Sequence, residues 1–143
     1  MERTVSDPLD ALTVGRSDSY TRTVTEADIV LFAGVSGDDN PVHLNEPWAA
    51  QTMFKGRIAH GMLSAGYIST VIGTRLPGPG SIYMSQNLKF KAPVRIGDTV
   101  TATVTVREIN TEKRRLTLDT VCTVGEAVVI DGEAMVMLPK PSA

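Results

Sequence analysis

The chain has 143 residues, 42% apolar and 21% charged, which is enough for one buried core without metal or disulfide support and too apolar for intrinsic disorder. Fourteen Lys and Arg against sixteen Asp and Glu leave a net charge of −2, which argues against a general nucleic-acid binder with its basic face. The single cysteine, Cys122, excludes an intrachain disulfide and fits a reducing compartment. The opening MERTVSDPLD has no apolar stretch of a secretory signal. The longest apolar run, Ile29 to Val35, falls far below the ~18 residues of a membrane span. The expectation is a cytoplasmic protein with a single domain over 1–143.

In chain order, residues 19–24 alternate weakly and predict an edge strand. Thr25 with Asp28 three residues on resembles a capping box, and the helix it opens carries Ile29 to Ala33 and ends near Ser36-Gly37. Residues 37–45 (GDDNPVHLN) are turn formers broken by Pro41 and are expected to be a loop. Asn45 can cap a short helix holding Trp48, Ala49 and Ala50, with Pro47 tolerated in its first turn. Residues 61–75 predict a helix apolar or small on all sides, with Arg75 its sole charge, so it should be buried on most sides. Pro77 to Gly80 ends the helical half.

The strand half follows. Leu88 and Phe90 alternate with Lys89 and Lys91. Val100, Ala102, Val104 and Val106 alternate with Thr101, Thr103 and Thr105, and Leu116, Leu118, Cys122 and Val124 share a face. Each is the pattern of a half-buried antiparallel strand, with turns at 110–114 and at Gly125-Glu126 and a bulge expected at Asp131-Gly132. Helices followed by strands predict an α+β fold in which the sheet wraps the apolar helix. One sheet covers only part of such a helix, so a homodimer is expected to cover the rest.

The two histidines, His43 and His60, are the candidates for acid–base chemistry. Asp38 and His43 would stand about 140° apart on a regular helix, but Pro41 prevents one, so the loop can fold the carboxylate back toward the imidazole. The same residues also read as a solvated Asp-Asn-Pro turn with an incidental histidine, and residue types alone leave both open. Ala59-His60-Gly61 opens the apolar helix. Its free N–H groups suit a carbonyl oxygen gaining charge, and glycine admits a ligand close to the backbone; a plain helix start is the other reading. His60 is expected to orient the turn by hydrogen bonding. Asp38, His43 and His60 have no recognised metal-ligand spacing, so no metal site is expected.

SGDDNPVH (36–43) and AHGML (59–63) resemble the two signature segments of the MaoC-like hydratases, and GSIYMSQNLKFKAPVRIGDTV (80–100) resembles the strand region of their (R)-specific enoyl-CoA hydratase branch. The resemblance runs from about residue 13 to 139, with three segments in the right order and spacing. It implies a hot-dog fold, an antiparallel sheet wrapped around one long helix, in a homodimer. It implies reversible, cofactor-free hydration of trans-2-enoyl-CoA to (R)-3-hydroxyacyl-CoA. By residue, Asp38 and His43 match the family's catalytic pair, Gly61 the glycine whose N–H binds the thioester carbonyl, and Ser69 an active-site serine.

Ser69 sits uneasily with that match. A helix starting at Gly61 carries it about 12 Å along the axis, too far to share one carbonyl oxygen with Gly61. It is expected instead to support the pair or line the acyl pocket. Dehydratases acting on acyl carrier proteins share the fold and signature and differ in the carrier. A hot-dog thioesterase would usually carry an acid on the central helix, and residues 61–75 have none. Arg57, Lys89, Lys91 and Arg95 are candidates for the CoA phosphates, each equally readable as a solvated charge.

Overall fold

The computed structural model describes residues 6–141. The start of the N-terminal segment and the last two residues of the expected domain lie outside the described residues.

A short 3-10 turn at Pro8–Ala11 leads into β1 (Ser17–Thr23) and α1 (Glu26–Ser36). Thr25 and Asp28 form the expected capping box in full, each side chain accepting from the other's backbone N–H. Gly37 ends α1 in the left-handed conformation at φ 78°, which is why glycine follows Ser36. Residues 37–45 are not wholly a loop. Asn40 caps a one-turn helix, α2 (Pro41–Leu44), and Asn45 caps α3 (Glu46–Ala50). Pro41 and Pro47 both stand in first turns, where the missing N–H costs nothing. The proline read as a breaker is a helix start. The long helix α4 (Gly61–Thr74) then precedes β2 (Ile82–Phe90), β3 (Thr99–Asn110), β4 (Arg115–Val124) and β5 (Ala127–Met137).

The five strands form one antiparallel sheet in the order β1-β3-β4-β5-β2. The alternation in the sequence shows directly in burial: Val100, Ala102, Val104 and Val106 of β3 and Leu116, Leu118 and Cys122 of β4 are buried, while their alternate neighbours are not. Against that face α4 lays Ile68, Val71 and Ile72, packing chiefly on β3 and β1. Burying these side chains is worth roughly 1.5–3 kcal/mol each, the main drive for the helix to sit on the sheet.

The bulge expected at Asp131-Gly132 lies elsewhere. Those two residues pair regularly with β2 and β4, and the register breaks instead where Cys122 faces Ile130 but Thr123 faces Val128. Val129 is the extra residue, and it lets both Val129 and Ile130 turn inward. Gly132 has a different purpose. A Cβ there would lie 1.9 Å from the Asn87 carbonyl oxygen, so glycine admits the close approach of β2.

Within the single chain α4 is not covered on all sides. Met62, Gly66, Ser69 and Gly73 form an exposed stripe, while Ser64, Tyr67, Ile68, Val71 and Ile72 are buried. No helix among the described residues is long and apolar enough to cross a membrane.

Candidate active site

The caps place Asp38 and His43 together. Asp38 follows the left-handed Gly37, and its carboxylate accepts from the Asn40 N–H at 3.3 Å, a local turn that bends the chain back. His43 then rides on α2, which Asn40 starts. The two residues lie with His60 in one cluster whose donor atoms fall within 4.8 Å of one another. Asp38 is exposed, whereas His43 and His60 are buried.

The hydrogen bonds fix the tautomer of both rings. His43 Nδ1 lies 2.8 Å from the Ile58 carbonyl oxygen. A carbonyl oxygen only accepts, so Nδ1 carries the proton and Nε2 keeps its lone pair. His60 Nε2 likewise donates to the Asp38 carbonyl oxygen at 2.9 Å, holding the loop as expected. Arg57 fastens the other side: its Nε donates to the His43 carbonyl oxygen at 2.6 Å, and its guanidinium clamps the Glu26 carboxylate at 2.7 and 3.1 Å. Burial lowers the His43 pKa below the ordinary histidine value; the bond to Ile58 opposes this, the neighbouring His60 reinforces it and the Asp38 charge opposes it. His43 is thus held neutral, with one free basic nitrogen.

The cluster does not suit a cation. The His43 and His60 rings stack with centroids 3.8 Å apart and 29° between planes. Lone pairs in two stacked planes run side by side rather than converging, and each ring has one nitrogen bound to a carbonyl.

A cavity of about 350 Å³ adjoins the pair, lined by His43, Ile58, Ala59, Gly61, Ser64, Phe90, Val94 and Ile130 among others. Gly61 opens α4 and lines the cavity, and no side chain caps that end, so the positive end of the helix lies at the cavity. A Cβ at Gly61 would lie 2.5 Å from the Phe90 ring, so glycine admits the close approach of that ring to the start of α4. The structure thus clusters Asp38 with His43, and places His43 and Gly61 in the lining of one cavity that Asp38 itself does not line.

Ser69 is not among them. It lies on the exposed stripe of α4, away from the cavity lining. The serine that lines the cavity is Ser64, three residues after Gly61 and so on the same helix face. The sequence carried that spacing as a signal. The Ile58 carbonyl that fixes His43 leaves no signature in residue types. Of the phosphate candidates, Arg57 and Arg95 are engaged within the chain, Arg95 donating to the carbonyl oxygens of Phe54 and Arg57. Lys91 pairs with Asp131 at 3.2 Å, and Lys89 is exposed.

A five-stranded antiparallel sheet packed on one helix, with an Asp–His pair near a cavity at that helix's N-terminus, is the arrangement that the resemblance to the MaoC-like hydratases implied. The model of the MaoC like domain matches residues 12–128, and the chain belongs to that family. It is 65% identical over 125 residues to the (R)-specific enoyl-CoA hydratase of Rhodospirillum rubrum, covering 87% of each chain. It is 53% identical over 129 residues to the 3-hydroxybutyryl-CoA dehydratase of Methylorubrum extorquens, covering 90% of this chain and 82% of that one. The unliganded R-hydratase PhaJ1 of Pseudomonas aeruginosa superposes with a TM-score of 0.88 at 47% identity, over 94% of this chain and 86% of that one. The fold is the hot-dog fold of these hydratases.

Proposed function

We propose that the protein is an (R)-specific enoyl-CoA hydratase, a hydro-lyase that adds water reversibly to trans-2-enoyl-CoA to give (R)-3-hydroxyacyl-CoA. The observation that carries the chemistry is the neutral His43 with a free Nε2 beside Asp38, at a cavity that begins at the uncapped N-terminus of α4. The substrate class and the (R) configuration rest on the Rhodospirillum rubrum relative, whose name states both.

In this reading the thioester carbonyl binds at the Gly61 N–H, which draws charge toward oxygen and makes C3 electrophilic. Water is held between Asp38 and His43. His43 Nε2 takes one proton of the water as its oxygen bonds to C3, and the C2–C3 π electrons move toward the carbonyl as an enolate. The imidazolium then returns the proton to C2, which restores neutral His43 and the thioester. Asp38 accepts a hydrogen bond from the second O–H of the water, which stays on oxygen as the product hydroxyl, and stabilises the imidazolium while it lasts. Ser69, on the face of α4 that stays exposed in one chain, fits a wall of the acyl pocket completed by a second copy.

A homodimer is supported by the contrast between the two sheet edges. β1 presents mostly polar residues, whereas β2 exposes Ile82, Tyr83, Met84 and Phe90, and Met62 is exposed on α4. An apolar, unpaired edge of this kind calls for a partner. Cytoplasmic residence is supported by the one cysteine, Cys122, free and buried. The test of function is a crotonyl-CoA assay. Enoyl absorbance should fall with no release of free thiol; stoichiometric free CoA would mark a thioesterase and overturn the reading.

A further inference from the structure

We propose that the Ser64 hydroxyl is a second hydrogen-bond donor to the thioester carbonyl oxygen of the substrate, beside the Gly61 N–H. The proposal rests on the hydratase reading above. Its starting point is an anomaly among the helical hydroxyls of this chain. Ser36, Thr70 and Thr74 each donate to the carbonyl four residues earlier, the ordinary habit of such residues. Ser64 does not. Its Oγ is fully buried and has no partner in the protein.

A buried hydroxyl without a partner is costly unless something else supplies one. The surroundings say where that partner comes from. From the sheet side, Cys122 Sγ contacts the Ser64 carbonyl oxygen at 3.5 Å, so the backbone there is seated against β4. The residue lines the cavity, and among the described residues it is the one hydroxyl that does. Helical side chains lean toward the N-terminus, and positions three apart share a face. The Ser64 side chain is therefore aimed at the turn that holds Gly61. Gly61 and Ser64 both line the cavity, so one substrate oxygen can accept from both.

Ala59, Val94 and Ile130 supply apolar walls to the same cavity. In such surroundings a donor gains most when its acceptor takes on charge. The thioester oxygen does so as the enolate forms. The bond from Ser64 is thus stronger in the transition state than in the ground state, and its loss falls on kcat more than on KM.

The experiment compares wild type, Ser64→Ala and Ser64→Cys in two assays. With crotonyl-CoA, Ser64→Ala should lower kcat by about 10²-fold with KM little changed, the scale of one oxyanion donor. Ser64→Cys, with its weaker S–H donor, should fall between. With the conjugated 2,4-hexadienoyl-CoA, mixed rapidly and read before turnover, wild type should shift the dienoyl absorbance to longer wavelength because its carbonyl is polarised. Ser64→Ala should reduce that shift. Wild-type kcat in Ser64→Ala, or an undiminished dienoyl shift despite lower turnover, overturns the proposal. Should Ser64→Ala not fold, Ser64→Cys decides by the same two readouts. A wild-type enzyme that leaves crotonyl-CoA unchanged overturns the hydratase reading itself, and the dienoyl shift then still decides whether Ser64 polarises a bound thioester.

Discussion

His43 is prepared as a base by contacts that involve no substrate: its Nδ1 proton is pinned to the Ile58 carbonyl, and burial keeps the ring neutral. Asp38→Asn and His43→Ala should each lower turnover on crotonyl-CoA by at least about 10²-fold, with the fold intact by circular dichroism. If the pair works as a unit, the double variant loses much less than the product of the single losses. Asp39→Asn, an exposed neighbour without a role in the chemistry, should stay near wild type. The direction of the His43 shift also sets the pH behaviour. Because its pKa lies below the ordinary value of about 6.5, kcat/KM for hydration should stay level through that pH and fall only at lower pH, as Nε2 becomes protonated. The sign for stability is the same. Between the folded and unfolded pKa values the unfolded chain binds more protons, so the contribution of His43 is present above about 6.5 and is lost as pH falls through the folded value. A kcat/KM profile that already declines above pH 6.5 on its acid limb contradicts the assignment. Residue types left the roles of Asp38, His43 and Gly61 open, and the resemblance to the MaoC-like hydratases singled them out; glycine, asparagine and proline do mark the turns that bring Asp38 near His43. The sequence did not show which serine faces the cavity, since Ser64 and Ser69 have the same chemistry and only the orientation of α4 on the sheet separates them.

Among the elements, α4 and the strands were readable because burial follows period. The apolar alternation of β3 and β4 is the alternation of their buried residues, and an apolar helix had to lie against it. The misreadings share a cause: one residue type serves two purposes. Pro41 was taken for a breaker, yet with Asn40 as cap it starts a helix turn and so sets the direction of His43. Gly132 was taken for a bulge, yet it makes room for β2, and the true bulge at Val129 has no glycine. That difference is testable. Gly132→Ala places a methyl against the Asn87 carbonyl oxygen, backbone that cannot swing aside. Urea unfolding should show a loss of at least about 3 kcal/mol, the upper range for overpacking. A loss under about 1 kcal/mol would mean that β2 can move away from β5 at little cost.

For the whole molecule, the exposed apolar edge at β2 and the exposed stripe on α4 make the single chain half of the assembly proposed here. Light scattering at micromolar concentration should give twice the mass of the chain, and Met84→Lys on β2 should shift that mass toward the monomer. A monomer mass for the unaltered protein contradicts the dimer and leaves the acyl pocket to one chain. The 350 Å³ cavity beside His43 joins the fold to the proposed chemistry: the sheet supports α4, α4 presents Gly61, and the capped turns bring His43 to the lining with Asp38 next to it. The central claim is that this arrangement adds water to an enoyl thioester on one face. It is tested most directly by incubating the protein with crotonyl-CoA and resolving the enantiomers of the product. The account predicts consumption of the enoyl thioester, no free thiol, and (R)-3-hydroxybutyryl-CoA that an (S)-specific dehydrogenase leaves untouched. Release of free CoA, or a product that this dehydrogenase oxidises, would contradict it.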